Sequence, residues 1–270
     1  MTIDDSTEDR YIVPGLRRGL AILRLFSKTR RVITVPQIVR ELGISRATAF
    51  RLTYTLETDG YLRRVPHSNA FQLGLNVLSL GFEYLGSLDL VDVARPVLED
   101  LRDQMDASAH MGVLDRTEVV YVLKAPSQHR LRSNVTIGGR MPAHATSIGR
   151  ALLFDTPLEH LRALYREVKM EVFSKQTPGT VAELHAQLEE ERQKGYVSYR
   201  SAFAAGIASV AAPVRDASGQ IVAAINVSDY ESLPGMQDEK HLADAVRRAA
   251  MAISRGLGYR PDATPNQSVA

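Results

Sequence analysis

One stretch, Thr34 to Asn69 (TVPQIVRELGISRATAFRLTYTLETDGYLRRVPHSN), limits what this chain can fold into more than any other. Its apolar residues repeat at helical spacing twice, with a stop between the two runs. Thr34 is a good N-cap, Gln37 completes a capping box with it, and Pro36 sits in the first turn, where a missing N–H costs little. Ile38, Val39 and Leu42 form the first stripe, and Gly43 closes it. Ser45 caps a second helix in which Ala49, Leu52, Thr53 and Leu56 follow i, i+3, i+4, i+7. The opposite face carries Arg46, Phe50, Arg51 and Tyr54, with Thr48 at its edge. Gly60 ends this helix, and 61–64, 65–69 and 70–73 read as strand, turn and strand. Upstream, Gly15, Leu16, Leu20, Leu23 and Phe26 define a helix with Arg17, Arg18 and Arg24 on its other faces, completing a three-helix core. Two helices joined by a Gly turn, the second presenting Arg and Thr, predict a helix-turn-helix; the basic hairpin makes it a winged one.

The competing interpretation is a helical hairpin whose charged face is merely solvated. Charge distribution decides against it. Residues 10–70 hold 12 basic side chains against Glu41, Glu57 and Asp59, a net of +9, whereas the whole 270-residue chain is only +2. Residues 1–9 carry four acids and no base. A segment with that excess is an electrostatic footprint for phosphate, so the stretch predicts DNA binding.

The chain length suits about two domains. There is no cysteine, which removes disulfides, thiolate nucleophiles and Cys-based zinc sites. MTIDDSTED lacks the blocks of a signal peptide, and no apolar run approaches the ~18 residues of a membrane helix. A cytoplasmic protein with no membrane partner is expected.

After Gly74, residues 75–90 are apolar nearly all round, with Leu75, Leu78, Phe82 and Leu85 at helical spacing. Such a helix is either core or a protein contact, and its place beside a paired-site DNA reader favours a dimer-forming linker. A helix from Leu90 to Met105 follows, with Val93, Val97, Leu98 and Leu101 inward. Hairpins are expected over 110–123 and 207–230, a strand over 133–142 and a short one over 196–200. Helices are expected over 143–154, 158–168, 181–195 and 235–257. The fold class is therefore α+β, an antiparallel sheet covered by helices. The expected divisions are an acidic tail 1–10, a DNA-binding domain 11–74, a linker helix 75–90, a second domain 91–258 and a tail 259–270.

Five segments together resemble the IclR family of bacterial transcription regulators: RRGLAILRLF (17–26), TVPQIVRELGISRATAFRLTYTLETDGYL (34–62), MPAHATSIGRALL (141–153), GYVSYRSAFAAGIASVAAPV (195–214) and DASGQIVAAINVS (216–228). Within it, FQLGLNVLSLGFEYLGSLDL is most similar to the branch answering to aromatic acids such as protocatechuate and 4-hydroxybenzoate. The resemblance implies a winged helix-turn-helix head, a dimerising linker helix and a GAF-like effector domain. It implies double-stranded operator DNA, a small-molecule effector and further copies of the chain (homodimer or dimer of dimers) as partners, with RNA polymerase beside them, and no cofactor.

For DNA, Arg46 and Arg51 are able to read guanine bidentately from the second helix; Thr48 and Ser45 suit phosphate. Phe50 shares that face, and Thr34 stands at the start of the preceding helix. Arg63, Arg64 and His67 on the wing suit backbone or minor-groove contacts, and Arg17 and Arg18 reach phosphate or remain solvated. For the effector, small residues after Gly138-Gly139 open a helix whose free N–H groups suit a carboxylate, or else simply permit tight packing. The family's counterpart of this motif lines its effector pocket. That carries Met141, Ala143 and His144 into the site, with Ser147 and Ile148 as backbone donors. Tyr199, Ile207, Ser209 and Ala211 form the opposite wall, and Met111, Tyr121 and Asn226 follow from inward strand positions. Many relatives carry acids just before the Gly of the GI pair, where this chain has Ser201-Ala202-Phe203-Ala204-Ala205-Gly206. Lost negative charge and added Tyr199 and Phe203 favour an anionic, aromatic effector. His110 and His144 are candidate metal ligands, but isolated histidines are more often structural; no metal is expected.

An enzyme with a nucleic-acid-tethering head is the alternative from another class. No G-x-S-x-G, H-E-x-x-H, P-loop or dinucleotide glycine pattern supports it, and Ser147 with His144 on one helix does not make a nucleophile–base pair. No catalytic residue is assigned. A ligand-independent DNA binder is disfavoured by the ~160-residue mixed domain, in keeping with usual domain sizes.

Overall fold

In a computed structural model of the chain, the described residues are 11–27, 29–86, 89–127, 135–201 and 203–261. The expected tail 1–10, Lys28, residues 133–134 of an expected strand, Ala202 and 262–270 of the second expected tail lie outside them, as do the side chains of Phe82 and Leu85. Contacts divide the chain into two units, Met1–Ser87 and Leu88–Ala270.

The first unit runs α1 (Pro14–Arg24), β1 (Ile33–Thr34), α2 (Val35–Leu42), α3 (Arg46–Thr58), β2 (Leu62–Arg64), β3 (Ala70–Leu73) and α4 (Asn76–Gly86). Gln37 Oε1 accepts from the Thr34 backbone N–H at 2.8 Å, the reciprocal half of the capping box. Gly43 ends α2 in the left-handed region, φ 61°, which a side chain would strain. Ser45 Oγ accepts from the Thr48 N–H at 3.1 Å and starts α3. Ile22, Ile33, Ile38, Ala49, Leu62 and Phe71 make the core. Each large side chain among them contributes about 1.5–3 kcal/mol by leaving water. β1 was not expected; it pairs with β3, Ile33 opposite Phe71, and closes a three-stranded sheet in the order β1-β3-β2. One expectation is corrected: α1 buries Gly19 and Ile22, while Leu16 and Leu20 stay exposed, because the core meets the helix one residue round from the stripe read in sequence. Of the helix expected over 75–90, Asn76–Gly86 is helical and 87–88 lie outside the described residues; Leu75, Leu78, Leu80 and Tyr84 are exposed.

The second unit opens with α5 (Asp89–Met105), β4 (Ser108–Asp115), β5 (Glu118–Ala125) and β6 (Arg140–Pro142). A 3-10 turn at Ala143–Ala145 leads into α6 (Ser147–Leu152), then α7 (Leu158–Leu164) and α8 (Val181–Lys194). β7 (Val197–Arg200), β8 (Ile207–Arg215), β9 (Ile221–Tyr230) and α9 (Glu239–Gly256) complete it. Six antiparallel strands lie in the order β6-β5-β4-β9-β8-β7, so the two long hairpins meet along β4 and β9. α9 packs on β8 and α5, and α5 on β4 and β5. α6 packs on β8 and β9, with α7 and α8 beyond it. The expected helix over 143–154 is thus split: the 3-10 turn and a bend at Thr146 set the start of α6 directly over the sheet. Among the described residues no helix is long and apolar enough to cross a membrane.

Candidate functional site

On the first unit, the exposed face of α3 carries Arg46, Phe50, Arg51 and Tyr54. Thr48 is half-buried, its hydroxyl 2.9 Å from that of Ser45, so both are held at the helix start. Among the described residues neither Arg46 nor Arg51 is ion-paired, whereas Arg30 is 3.2 Å from Glu41 and Arg64 is 3.1 Å from Glu57. The Arg64 guanidinium also covers the Phe71 ring at 4.8 Å within the wing, while its pair with Glu57 fastens the wing to α3. Arg63 and His67 are exposed on the wing, and His67 takes φ 58° at its turn. Arg17 and Arg18 are exposed on α1; Thr34 is half-buried, its hydroxyl donating to Gln37. The geometry is a helix with unpaired cations at its exposed face, flanked by a basic hairpin, which is what a major groove with phosphate on either side accepts.

On the second unit, a cavity of about 430 Å³ lies between the sheet and the start of α6. Tyr121, Met141, Ser147, Tyr199, Ile207, Ser209 and Asn226, all read from the sequence, line it. Its floor is a buried polar chain. His110 Nδ1 is 3.1 Å from Asn226 Oδ1; Asn226 Nδ2 donates to Ser209 Oγ at 2.9 Å and to Ser147 Oγ at 3.4 Å. The two serine hydroxyls are 2.7 Å apart. Burial holds His110 near a pKa of about 4, against the Asn226 bond that favours its charge, so the ring is neutral near pH 7. Aromatic rings form the wall. Tyr199 donates to the Ala145 carbonyl at 3.1 Å, and burial pushes its hydroxyl up to about 12, opposed by Arg150 and by the Ser147 N–H and hydroxyl. The Arg150 guanidinium sits 5.0 Å over the Tyr199 ring, 2.9 Å from Glu191.

Five expected lining residues lie elsewhere. Met111 pairs with Ile225, not with Asn226, so it faces the other side of the sheet; the cavity side belongs to His110, one residue earlier. Ala143 is packed beneath Gly149, where a Cβ on that glycine would stand 2.2 Å from the Ala143 carbonyl oxygen. His144 turns away, its Nε2 3.0 Å from the Glu171 carbonyl oxygen and its ring edge-on to Tyr165. Ile148 and Ala211 are sealed into the apolar cluster under α6. Ser147 does reach the cavity, with its hydroxyl 2.7 Å from that of Ser209. Phe203, weighed in the sequence as favouring an aromatic effector, lines it too; the residues missed are Val135, Thr146, Ala204, Ala205, Asp229, Ser228 and Tyr230. Strand alternation from Asn226 would have found the last two. Asp229, one step out of phase, also lines the cavity; its Oδ1 accepts from its neighbour's N–H at 2.9 Å, and its buried Oδ2 has no partner among the described residues. Among the described residues no group of three or more His, Asp or Glu is placed to hold a metal.

Comparison with known proteins gives this geometry its context. Residues 15–66 match the IclR helix-turn-helix domain, and residues 82–255 match the bacterial transcriptional regulator IclR C-terminal domain. The chain is 32% identical to the Pca regulon regulatory protein of Pseudomonas putida, over 94% of this chain and 86% of that one. A crystal structure of a transcriptional regulator from Rhodococcus sp. RHA1 shares 35% identity and a TM-score of 0.79, covering 91% of this chain and 98% of that one. An IclR homologue from Microbacterium hydrocarbonoxydans, crystallised with 4-hydroxybenzoate, has the same fold at 23% identity and a TM-score of 0.79, covering 90% and 98%. The curated relatives carry the names of regulators, not enzymes. With a DNA-reading head, an effector-binding second domain and matches spanning both, this chain belongs to the IclR family of bacterial DNA-binding transcriptional regulators.

Proposed function

We propose that this regulator is controlled by an aromatic carboxylate bound in the cavity above Ser147, Ser209 and Asn226, and that it reads an inverted-repeat operator as a homodimer or dimer of dimers in the cytoplasm. One observation carries the effector reading: aromatic walls stand over a floor of hydroxyl and amide groups. Tyr121, Tyr199 and Phe203 suit a flat ring, and the serines and Asn226 suit oxygen acceptors. The lining among the described residues includes no Lys, Arg or His side chain and one carboxylate, Asp229, so a carboxylate ligand there is held by neutral donors, away from Asp229. The Pca relative and the 4-hydroxybenzoate complex support the same chemical class. The exposed apolar side chains of Leu75 and of Leu78, Leu80 and Tyr84 on α4 support a contact between copies, as the family pattern expects. RNA polymerase is a further partner at the promoter.

Thermal melting against hydroxybenzoates and short aliphatic acids tests this. A ligand at 100 times its dissociation constant stabilises the native state by about 2.7 kcal/mol. A shift with hydroxybenzoates supports the reading; a shift with aliphatic acids alone replaces the effector class and leaves the regulator intact.

A further inference from the structure

The polar groups on the exposed face of α3 can each bond a base edge or a phosphate, but Phe50 can neither donate nor accept. It leaves 54% of its surface exposed, and Tyr54, one turn on, leaves 60%. The two rings stack at 6.5 Å with 22° between their planes. Arg46 lies one turn before Phe50 and Arg51 directly beside it, so this apolar pair has a cationic fringe. That fringe, on the unit with the chain's positive excess, selects a polyanion over an apolar protein surface as the occupant.

We propose that Phe50 reads a base: its ring takes the C5-methyl group of a thymine in the major groove, with Tyr54 stacked against it to fix its rotamer. In that groove the thymine methyl is the apolar feature a base pair offers, and an aromatic side chain is among its known complements. This rests on the DNA-binding reading of α3 and adds a base identity to it. Arg46 and Arg51 select guanine by hydrogen bonds, and Phe50 selects an A·T pair, in thymine orientation, within each half-site.

The test starts from duplexes that the full chain selects out of a randomised library. Each thymine of the recovered consensus is then replaced singly by deoxyuridine, which deletes only the methyl group. One thymine per half-site is expected to lose about fourfold in affinity on replacement, the worth of one buried methyl. Phe50→Ala then binds the thymine and uracil duplexes alike, while Tyr54→Phe keeps the preference. The salt dependence of Phe50→Ala stays that of the parent, because no phosphate contact is lost. Indifference of the parent chain to uracil at every position overturns the proposal, as does a uracil penalty that survives Phe50→Ala. Failure to select any consensus falls on the DNA reading of α3 itself, a separate outcome.

Discussion

His110 Nδ1 and Asn226 Oδ1 face each other at 3.1 Å inside the sheet, and this one bond orients the whole polar floor. An amide oxygen only accepts, so the proton sits on Nδ1. The amide is thereby turned with Nδ2 toward Ser209 and Ser147, whose hydroxyls are bonded to each other at 2.7 Å. His110 Nε2 is left buried with no hydrogen-bond partner among the described residues.

His110→Leu should therefore strand Asn226 Oδ1. A buried acceptor left unsatisfied costs about 1–3 kcal/mol. Urea unfolding of the full chain should show that loss in the second unit, with operator binding retained and any effector-induced melting shift reduced. Unchanged stability and an unchanged shift would show that the bond orients nothing.

The pH dependence of stability should come from two buried groups with opposite signs. Glu191 is pushed up to about 7 by burial, against the Arg150 guanidinium that lowers it. Its folded-state pKa exceeds its unfolded value of 4.5, so it favours folding more as pH falls from about 7 toward 4.5. His110, lowered from 6.5 to about 4, does the reverse: the unfolded chain binds its proton first, and stability falls as pH drops through that window. The parent chain should be nearly flat between 6.5 and 4.5. Glu191→Gln should expose the His110 slope and melt progressively earlier on acidification, by no more than ~3 kcal/mol. A flat Glu191→Gln profile would contradict this.

On the DNA face, Arg51 and Arg64 should separate. Arg51→Ala should weaken operator binding by about 1–3 kcal/mol and relax specificity at one position. Arg64 is held by Glu57 and by the Phe71 ring, and its exposed pair is worth only about 0–1 kcal/mol. Its removal should loosen the wing with a smaller loss of affinity. Gel-shift titration ranks the two, and equal losses would place Arg64 in direct contact with DNA.

Gly149→Ala should uncouple the effector from the protein without touching the DNA head. The added methyl would lie 2.2 Å from the Ala143 carbonyl oxygen, so α6 has to lift and carry Ser147 off the floor. Melting shifts with hydroxybenzoates should vanish while operator affinity in their absence persists. A preserved shift would mean that α6 moves without the serine.

The helices and hairpins were legible because each kept its period: Ala49, Leu52, Thr53 and Leu56 turn inward on α3, and the β8–β9 hairpin turns after Asp216 as its Ser218-Gly219 requires. β1 was not, since two residues carry no period and Ile33 is defined only by its partner Phe71. Leu16 and Leu20 looked like core because composition cannot say which apolar face a neighbour will cover. Of the site, residues on the strands beside Asn226 were within reach, but Met111 was chosen where His110 stands. The break of register between Met111 and Gly112 is invisible in sequence, and a one-residue error exchanges the faces of a strand. His144 and Ala143 were placed by motif alone; the 3-10 turn that rotates them off the cavity appears only once the backbone is seen.

The aromatic wall of the cavity also makes the molecule its own optical reporter. The chain has no tryptophan and ten tyrosines, so its near-ultraviolet absorption and emission are tyrosine signals on a clean background. Tyr121, Tyr199 and Tyr230 stand in the wall, and Tyr199 is pressed against a guanidinium. Anything that enters perturbs these chromophores directly, and occupancy can be followed by difference spectroscopy on the unlabelled, unaltered chain.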